Sequence, residues 1–478
     1  MAIAETQFTA SPCPMAVSGP LSLVDVVREA TGDNAFMCYQ CVKCSSGCPM
    51  ADQFDLSPHQ IMRSVQLNDI SVLDSRSIWL CVSCHTCATR CPQKIDVTGV
   101  IDTLRIEARK RGVKPAVPEI ASFNEKFMRN IKIFGRAYEI GLMASFNLAL
   151  GRPFNDLKLG LRLLTRGKLH LLPRFGRVKP NAAKLPHNPK AIGYYPGCSL
   201  SSSAIEYGKS VKNIASAMDI ELIEPKNWSC CGSSAAHSTD PRAANVLPMS
   251  TVATIEQMGL DTVTSPCSAC YSRLKHGEHS VSHRDKVRKE VTDELGYEYK
   301  GTVRVEHLMD IIVDRAGLDE VRKRVTNPLK GLKVACYYGC LITRPTRVTG
   351  AENPEYPQKM DRLVKALGAE TVDWSHKTEC CGGSLAVSKT DAAAKLMRRI
   401  MDDAKACGAE AIVTMCPICH LNLDSRQGVM GYSEAEEIPI FQATQLMSLA
   451  FGQGEDKAAI KNNLTDPKPY LQEKGILS

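Results

Sequence analysis

Aromatic residues are scarce and long apolar stretches are missing: Phe, Tyr and Trp together make 6% of the 478 residues. No run approaches the roughly eighteen apolar residues that a membrane span needs. The best candidate, Ala137 to Leu150, is too short and contains Glu139, so it reads as a buried or interfacial helix, and the chain is expected to be soluble or peripheral. The N-terminus, MAIAETQFTASPCP, has no basic stretch leading into an apolar core, so no export signal is visible. A flavin fingerprint and a CxxCH haem site are also missing, since Cys84-His85 belongs to a different cysteine pattern. Composition is otherwise ordinary, 44% hydrophobic and 23% charged, which argues against disordered and fibrous classes.

What the chain does have is 21 cysteines. Disulfide frameworks belong mainly to small exported domains. In a long chain without an export signal, the expected compartment is reducing. Clustered cysteines at short fixed spacings are then metal ligands or redox groups.

Net charge is +8, but unevenly placed: residues 101–190 hold 19 Lys+Arg against 6 Asp+Glu, +13, which leaves −5 elsewhere. Interleaved aromatics and nucleic-acid motifs are missing there, so no nucleic-acid partner is expected. A docking face for a partner or an anionic membrane surface and a plain solvated helical face are the open readings.

The fold class expected is multidomain: an all-α ferredoxin-like N-terminal domain, then a duplicated α/β unit with pseudo-two-fold symmetry. Residues 1–22 read as a loose leader and 23–112 as the helical domain, with helices over Ser57 to Asn68 and Val97 to Arg111. Residues 113–190 read as a basic helical extension, with amphipathic helices over Ser122 to Leu150 and Asn155 to Arg166, followed by a linker carrying Pro173, Pro180, Pro186 and Pro189. Beyond it, short apolar runs at Ala191 to Tyr195, Asp261 to Thr264, Leu332 to Tyr338 and Ala411 to Met415 alternate with helices, the pattern of a largely parallel sheet. The modules run 191–330 and 331–478. Their cysteine landmarks recur in the same order at offsets of 142 to 150 residues.

Two boxes near the front carry the firmest chemistry. Cys38-x2-Cys41-x2-Cys44-x3-Cys48-Pro49 and Cys81-x2-Cys84-x2-Cys87-x3-Cys91-Pro92 match the run in which three close thiolates hold one 4Fe-4S cubane and the fourth cysteine serves the neighbouring one. The expected sets are Cys38, Cys41, Cys44 and Cys91 for one cubane, and Cys81, Cys84, Cys87 and Cys48 for the other. Tetrahedral zinc normally uses two CxxC pairs separated by a longer loop, which this spacing is not.

Each module holds five more cysteines. They are Cys198, Cys230, Cys231, Cys267 and Cys270 in the first, and Cys340, Cys380, Cys381, Cys416 and Cys419 in the second. Adjacent side chains of an extended backbone point to opposite sides, so the vicinal pair should bridge or grip separate irons and not share one. Five thiolates exceed what a cubane takes. An open iron-sulfur cluster in each module is the hypothesis; a redox dithiol or a zinc site explains a CxxC but not the recurring vicinal pair.

The spacing Cys-x31-Cys-Cys-x35-Cys-x2-Cys, repeated as Cys-x39-Cys-Cys-x34-Cys-x2-Cys, resembles the CCG-domain signature of the B-type component of heterodisulfide reductase. The ferredoxin part with its basic extension resembles the C-type component. From about Leu23 to the C-terminus the chain resembles a fusion of the two, in the order of the catalytic component of membrane-linked heterodisulfide reductases. The resemblance implies that each quintet holds one noncubane 4Fe-4S cluster, and that a disulfide is split between them, one sulfur going to each. It also implies an electron partner on another chain, a flavoprotein like the A-type component of heterodisulfide reductase or a membrane cytochrome, and a small-molecule or protein disulfide or thiol as substrate. The expected location is the cytoplasm, free or peripheral on the cytoplasmic membrane face.

Cys13, Cys336 and Cys407 are left over and read as small buried hydrophobes. His237, His307, Lys389 and His420 lie near quintet cysteines in sequence, and Trp228 and Trp374 precede the two vicinal pairs; for each, an ordinary structural role competes with a functional one. The leading reading is an oxidoreductase that reduces a disulfide or oxidises two thiols. The rival is an electron relay for a flavin dehydrogenase of the glycolate, lactate or glycerol 3-phosphate type feeding a quinone pool. A colourless zinc scaffold is the third class.

Overall fold

A computed structural model describes residues 21–477; most of the expected leader, and Cys13, lie outside the described residues. From Leu23 to Thr165 the described chain forms helices and 3-10 turns. Helices run over Pro58–Gln66 and Val97–Lys110, the first started by a capping box between Ser57 and Gln60 and by Pro58 in its first turn.

The extension differs from the expected single helix between Ser122 and Leu150. Helices Pro118–Phe134 and Glu139–Ala149 are separated by a break at Gly135. Gly135 has φ +73°, and a Cβ there would collide with the carbonyl of Gly176, so the apolar periodicity continues through a point where the backbone must turn. The helix expected after it spans Leu157–Thr165.

Two four-stranded parallel sheets follow. Strands β1 (Ala191–Tyr194), β2 (Glu221–Ile223), β3 (Thr262–Ser265) and β4 (Arg304–His307) make one. Strands β5 (Lys333–Tyr337), β6 (Glu370–Thr371), β7 (Ala411–Thr414) and β8 (Ile440–Gln442) make the other. Both have the same order, β2-β1-β3-β4 and β6-β5-β7-β8. The central strands β3 and β7 are buried along their whole length, as a parallel sheet covered on both faces requires.

In this order successive strands are added on one side of the first strand and then on the other, so each sheet has a topological switch point between its first and third strands. The crevice outside the carboxyl ends of those strands is where open α/β sheets bind ligands. The modules pack through helices Ile205–Ala217 and Ala443–Ala450, where Ser210 Oγ lies 2.7 Å from Thr444 Oγ1. The helical front end shares one apolar core with the second module: Ile61, Ile78 and Leu104 belong to the same cluster as Tyr337, Trp374 and Leu396.

Candidate metal centres

Both N-terminal boxes bend alike. Gln40 and Val42 in the first, and Ser83 and His85 in the second, have φ between +51° and +66°, a conformation that L-residues adopt at a cost. These bends lead into the short helices Lys43–Ser46 and Thr86–Arg90, which pack against each other. The repeated left-handed turns wrap each CxxC around a concavity, a strain that marks functional loops.

Cys44, Cys84 and Cys87 are buried, Cys41 is exposed, and Cys38, Cys48, Cys81 and Cys91 are intermediate. Cys48 sits among Cys84, Cys81 and Cys44, whereas Cys91 lies with Cys38 and Cys41 beside Tyr39. Burial pushes the Cys81 thiol up to about 12, and burial with neighbouring thiols raises Cys48 and Cys87. Such thiols stay protonated unless a cationic centre compensates the desolvated charge, so the donor chemistry fits an iron-sulfur core.

In the modules the landmark cysteines follow the strands that flank the crevice. Cys198 comes just after β1 and Cys267 just after β3; Cys340 and Cys416 hold the same places after β5 and β7. The two thiols of each vicinal pair have different neighbours. Cys230 contacts Cys198, while Cys231 lies 3.6 Å from Cys270. Likewise Cys380 lies 3.8 Å from Cys340, and Cys381 lies 3.6 Å from Cys419. Gly197 and Gly339, both at positive φ, allow this approach, because a Cβ would stand 2.6 Å from Cys270 Sγ in the first copy and 2.9 Å from Cys419 Sγ in the second.

The fifth cysteine of each set reaches across. Cys267 and Cys416 contact one another, and Ser268 Oγ donates to the Met415 carbonyl at 3.5 Å. The two sets therefore meet at the carboxyl ends of β3 and β7. Among the described residues, no group of three or more His, Cys, Asp or Glu side chains is arranged to hold a single metal ion. The thiols are distributed instead as chains of neighbours, which suits a polynuclear core better than one tetrahedral ion.

Supporting residues also recur. Tyr195 is ringed by Cys231, Cys270, Cys230 and Cys198, and its hydroxyl donates to the Ser229 carbonyl at 2.9 Å. Tyr337 stands among Cys419, Cys381, Cys380 and Cys340, and donates to the Glu379 carbonyl at 2.7 Å. Trp228 and Trp374 are buried against these rings, with centroids 5.1 and 6.1 Å apart respectively. The break at Gly135 delivers the Ala137 N–H to Cys198 Sγ at 3.3 Å and the Arg136 guanidinium to the face of Trp228, 3.7 Å from its centroid.

Of the other residues singled out by sequence, His237 bonds Asp102 at 2.7 Å, joining the front end to the first module. Lys389 pairs with Glu119 at 3.0 Å. His307 is buried at the end of β4, its pKa lowered by burial to about 4. His420, also buried and held neutral by burial, places Nδ1 3.6 Å from Glu206. Cys336 is fully buried in β5, and Cys407 is intermediate at a helix end.

Two features have no local signal in the sequence. Lys168, from the basic extension, is fully buried and pairs at 2.9 Å with Glu206, also fully buried, beside His420. Arg344, 2% exposed, bonds Thr86 of the second box and the Thr378 carbonyl just before Cys380. Cys84 and Cys380 are close enough for each charge to act on the other, with Arg344 beside them.

Known proteins share these parts. Residues 192–275 and 334–424 match the family described as the CCG cysteine-rich domain, and residues 37–96 match a 4Fe-4S dicluster domain. The 8-methylmenaquinol:fumarate reductase membrane anchor subunit of Wolinella succinogenes is 32% identical over 281 residues, 58% of this chain and 98% of that one. The B-type component of the ferredoxin/F(420)H(2)-dependent CoB-CoM heterodisulfide reductase from Methanosarcina acetivorans is 29% identical over 59% of this chain and 95% of its own. The front end is 38% identical over 91 residues to the iron-sulfur C-type component of a CoB--CoM heterodisulfide reductase from Methanocaldococcus jannaschii, 19% of this chain and 49% of that one. A crystal structure of a hypothetical protein from Helicobacter pylori shares the fold, with a TM-score of 0.55 at 10% identity, covering 86% of this chain and 69% of that one.

Proposed function

Since this chain belongs to the iron-sulfur family of heterodisulfide reductase B- and C-type components, fused with the C-type part first, we propose that its two quintets form one site at which a disulfide is reduced, or two thiols are oxidised. The chain is an iron-sulfur oxidoreductase component, and the proposal adds a catalytic role for its own modules. The contact between Cys267 and Cys416 at the carboxyl ends of β3 and β7 carries the reading. It supports placing one sulfur of a substrate disulfide towards each module.

In this reading Cys38, Cys41, Cys44 and Cys91 hold one cubane, and Cys81, Cys84, Cys87 and Cys48 the other. The ten module cysteines hold two noncubane cores. Bound there, these groups would supply single-electron steps and, at the module cysteines, the two electrons that disulfide cleavage takes up along with two protons. The chain's own residues set the order. Cys41 is exposed, and beside it Phe36 and Tyr39 are each 60% exposed, so an electron-donating flavoprotein or membrane cytochrome docks at that box. The second box leads onward, because Cys84 faces Cys380 and Arg344 ties the two loops. The buried tyrosines Tyr195 and Tyr337 and the indoles behind them exclude water from the thiols.

The relay reading keeps one observation in its favour, the similarity to a protein named for menaquinol:fumarate reductase. The test separates the two. Protein purified anaerobically should hold about sixteen irons per chain, and candidate thiols or disulfides should change the paramagnetic resonance of the module centres. Full iron content with spectra indifferent to every thiol and disulfide would favour the relay. Iron confined to the front end would reject both.

A further inference from the structure

Nine of the seventeen most exposed large apolar side chains among the described residues fall between Ile133 and Phe175, under a tenth of the chain. Within the Leu157–Thr165 helix, Leu157, Leu161 and Leu164 recur at intervals of four and three, so they form one stripe, and that stripe faces outward. The helix is firmly seated on its other side: Leu163 is buried, Arg162 donates to the Leu464 carbonyl at 3.1 Å, and Arg166 bonds the Lys461 carbonyl. The outward stripe is therefore a property of a docked element. Phe154, 77% exposed, extends it at one end. Leu171 and Leu172, 68% and 78% exposed, lie beyond the other end, where Phe175 packs on Phe134.

Charge in this segment is mostly of one sign. Lys132, Arg152, Lys158, Arg174 and Arg177 are all exposed. Between residues 129 and 179 there are only two acids, Glu139 and Asp156. Glu139 is taken up by Ser202 and Ser203, and Asp156 stands 3.9 Å from Arg426. An apolar ridge in a segment this rich in exposed basic residues matches the boundary between acyl chains and anionic headgroups. A nine-residue helix spans only about 14 Å, so it would lie in that boundary and not cross it.

We infer that residues 133–175 form a monotopic docking surface for an anionic phospholipid bilayer. The apolar ridge enters the headgroup layer, and the arginines and lysines beside it meet lipid phosphates. Ala137, Glu139 and Lys168, in the same segment, reach inward to Cys198, Ser202 and Glu206. The inference does not depend on whether the chain splits disulfides or relays electrons.

The test is flotation of the anaerobically purified, iron-loaded chain with protein-free vesicles, either of pure phosphatidylcholine or containing about one-third phosphatidylglycerol. Binding should require the anionic lipid and should weaken about tenfold or more when salt shortens the screening length several-fold. The variants Leu161→Glu/Leu164→Glu and, separately, Leu171→Glu/Leu172→Glu should bind at least about tenfold more weakly with iron content and visible spectrum unchanged. Val429→Glu, at a site 55% exposed outside the segment, should bind as the parent does. Failure of the parent chain to float with anionic vesicles would overturn the inference. So would equal flotation of the parent and both double variants, or binding only to native membranes that retain their integral proteins.

Discussion

Replacing Lys168 by Met removes one member of an ion pair whose side chains are both 0% exposed and whose charged atoms are 2.9 Å apart. At that distance and an effective dielectric of about 20, the gross attraction is roughly 6 kcal/mol, most of it offset by desolvation of the two charges. Removing the pair as a unit should therefore cost little. Removing one member strands the other, at about 3–5 kcal/mol. Lys168→Met should lower the unfolding midpoint of the module transition by roughly 6–20 °C, at 2–4 °C per kcal/mol for a unit of this size. Lys168→Met/Glu206→Gln, which removes both charges and keeps the volumes, should recover most of it. Anaerobic calorimetry of the iron-loaded protein reads both effects. A single variant within about 1 kcal/mol of the parent, or a double variant as unstable as the single one, would refute the argument.

Cys231→Ser and Cys381→Ser should each remove about four of the sixteen irons while leaving the signals of the front-end centres intact, as measured by iron assay and paramagnetic resonance. Arg344→Met should cost about 2–4 kcal/mol by breaking two buried bonds, and should slow electron arrival at the second module with iron content unchanged, as followed by rapid-mixing absorbance. His307 is held neutral by burial with a pKa of about 4, against 6.5 when unfolded, so the unfolded chain binds the extra proton first. Stability should fall by up to about 3 kcal/mol as the pH drops from 6.5 to 4, and His307→Gln should flatten that part of the profile in denaturant titrations.

The cysteine chemistry was legible because its signals are local. The x2-x2-x3 boxes and the vicinal pairs are read from neighbouring residues, and Gly197 and Gly339 stand beside the cysteines whose approach they permit. Four of the eight strands were equally legible, most plainly β5 and β7, whose residues after the first polar one or up to the last threonine are apolar, whereas the short edge strands β2 and β6 were not. What escaped depends on contacts between distant segments. The helix ends at Gly135, a left-handed cap closely approached by Gly176, forty-one residues on, while the apolar periodicity around it continues unbroken. Lys168 looked like one more charge in a basic segment, yet Glu206 draws it into the junction of the modules. Arg344 joins a loop 258 residues away. The shared core of the front end with the second module has no sequence signature at all, because each partner's apolar face is what any helix or strand would show.

Anomalous iron scattering from anaerobically grown crystals addresses the central claim most directly. Four separate iron assemblies are expected: two within the front-end boxes, and two flanking the Cys267 and Cys416 contact on either side of a common gap. Iron density at the front end alone, or module assemblies facing away from one another, would contradict it.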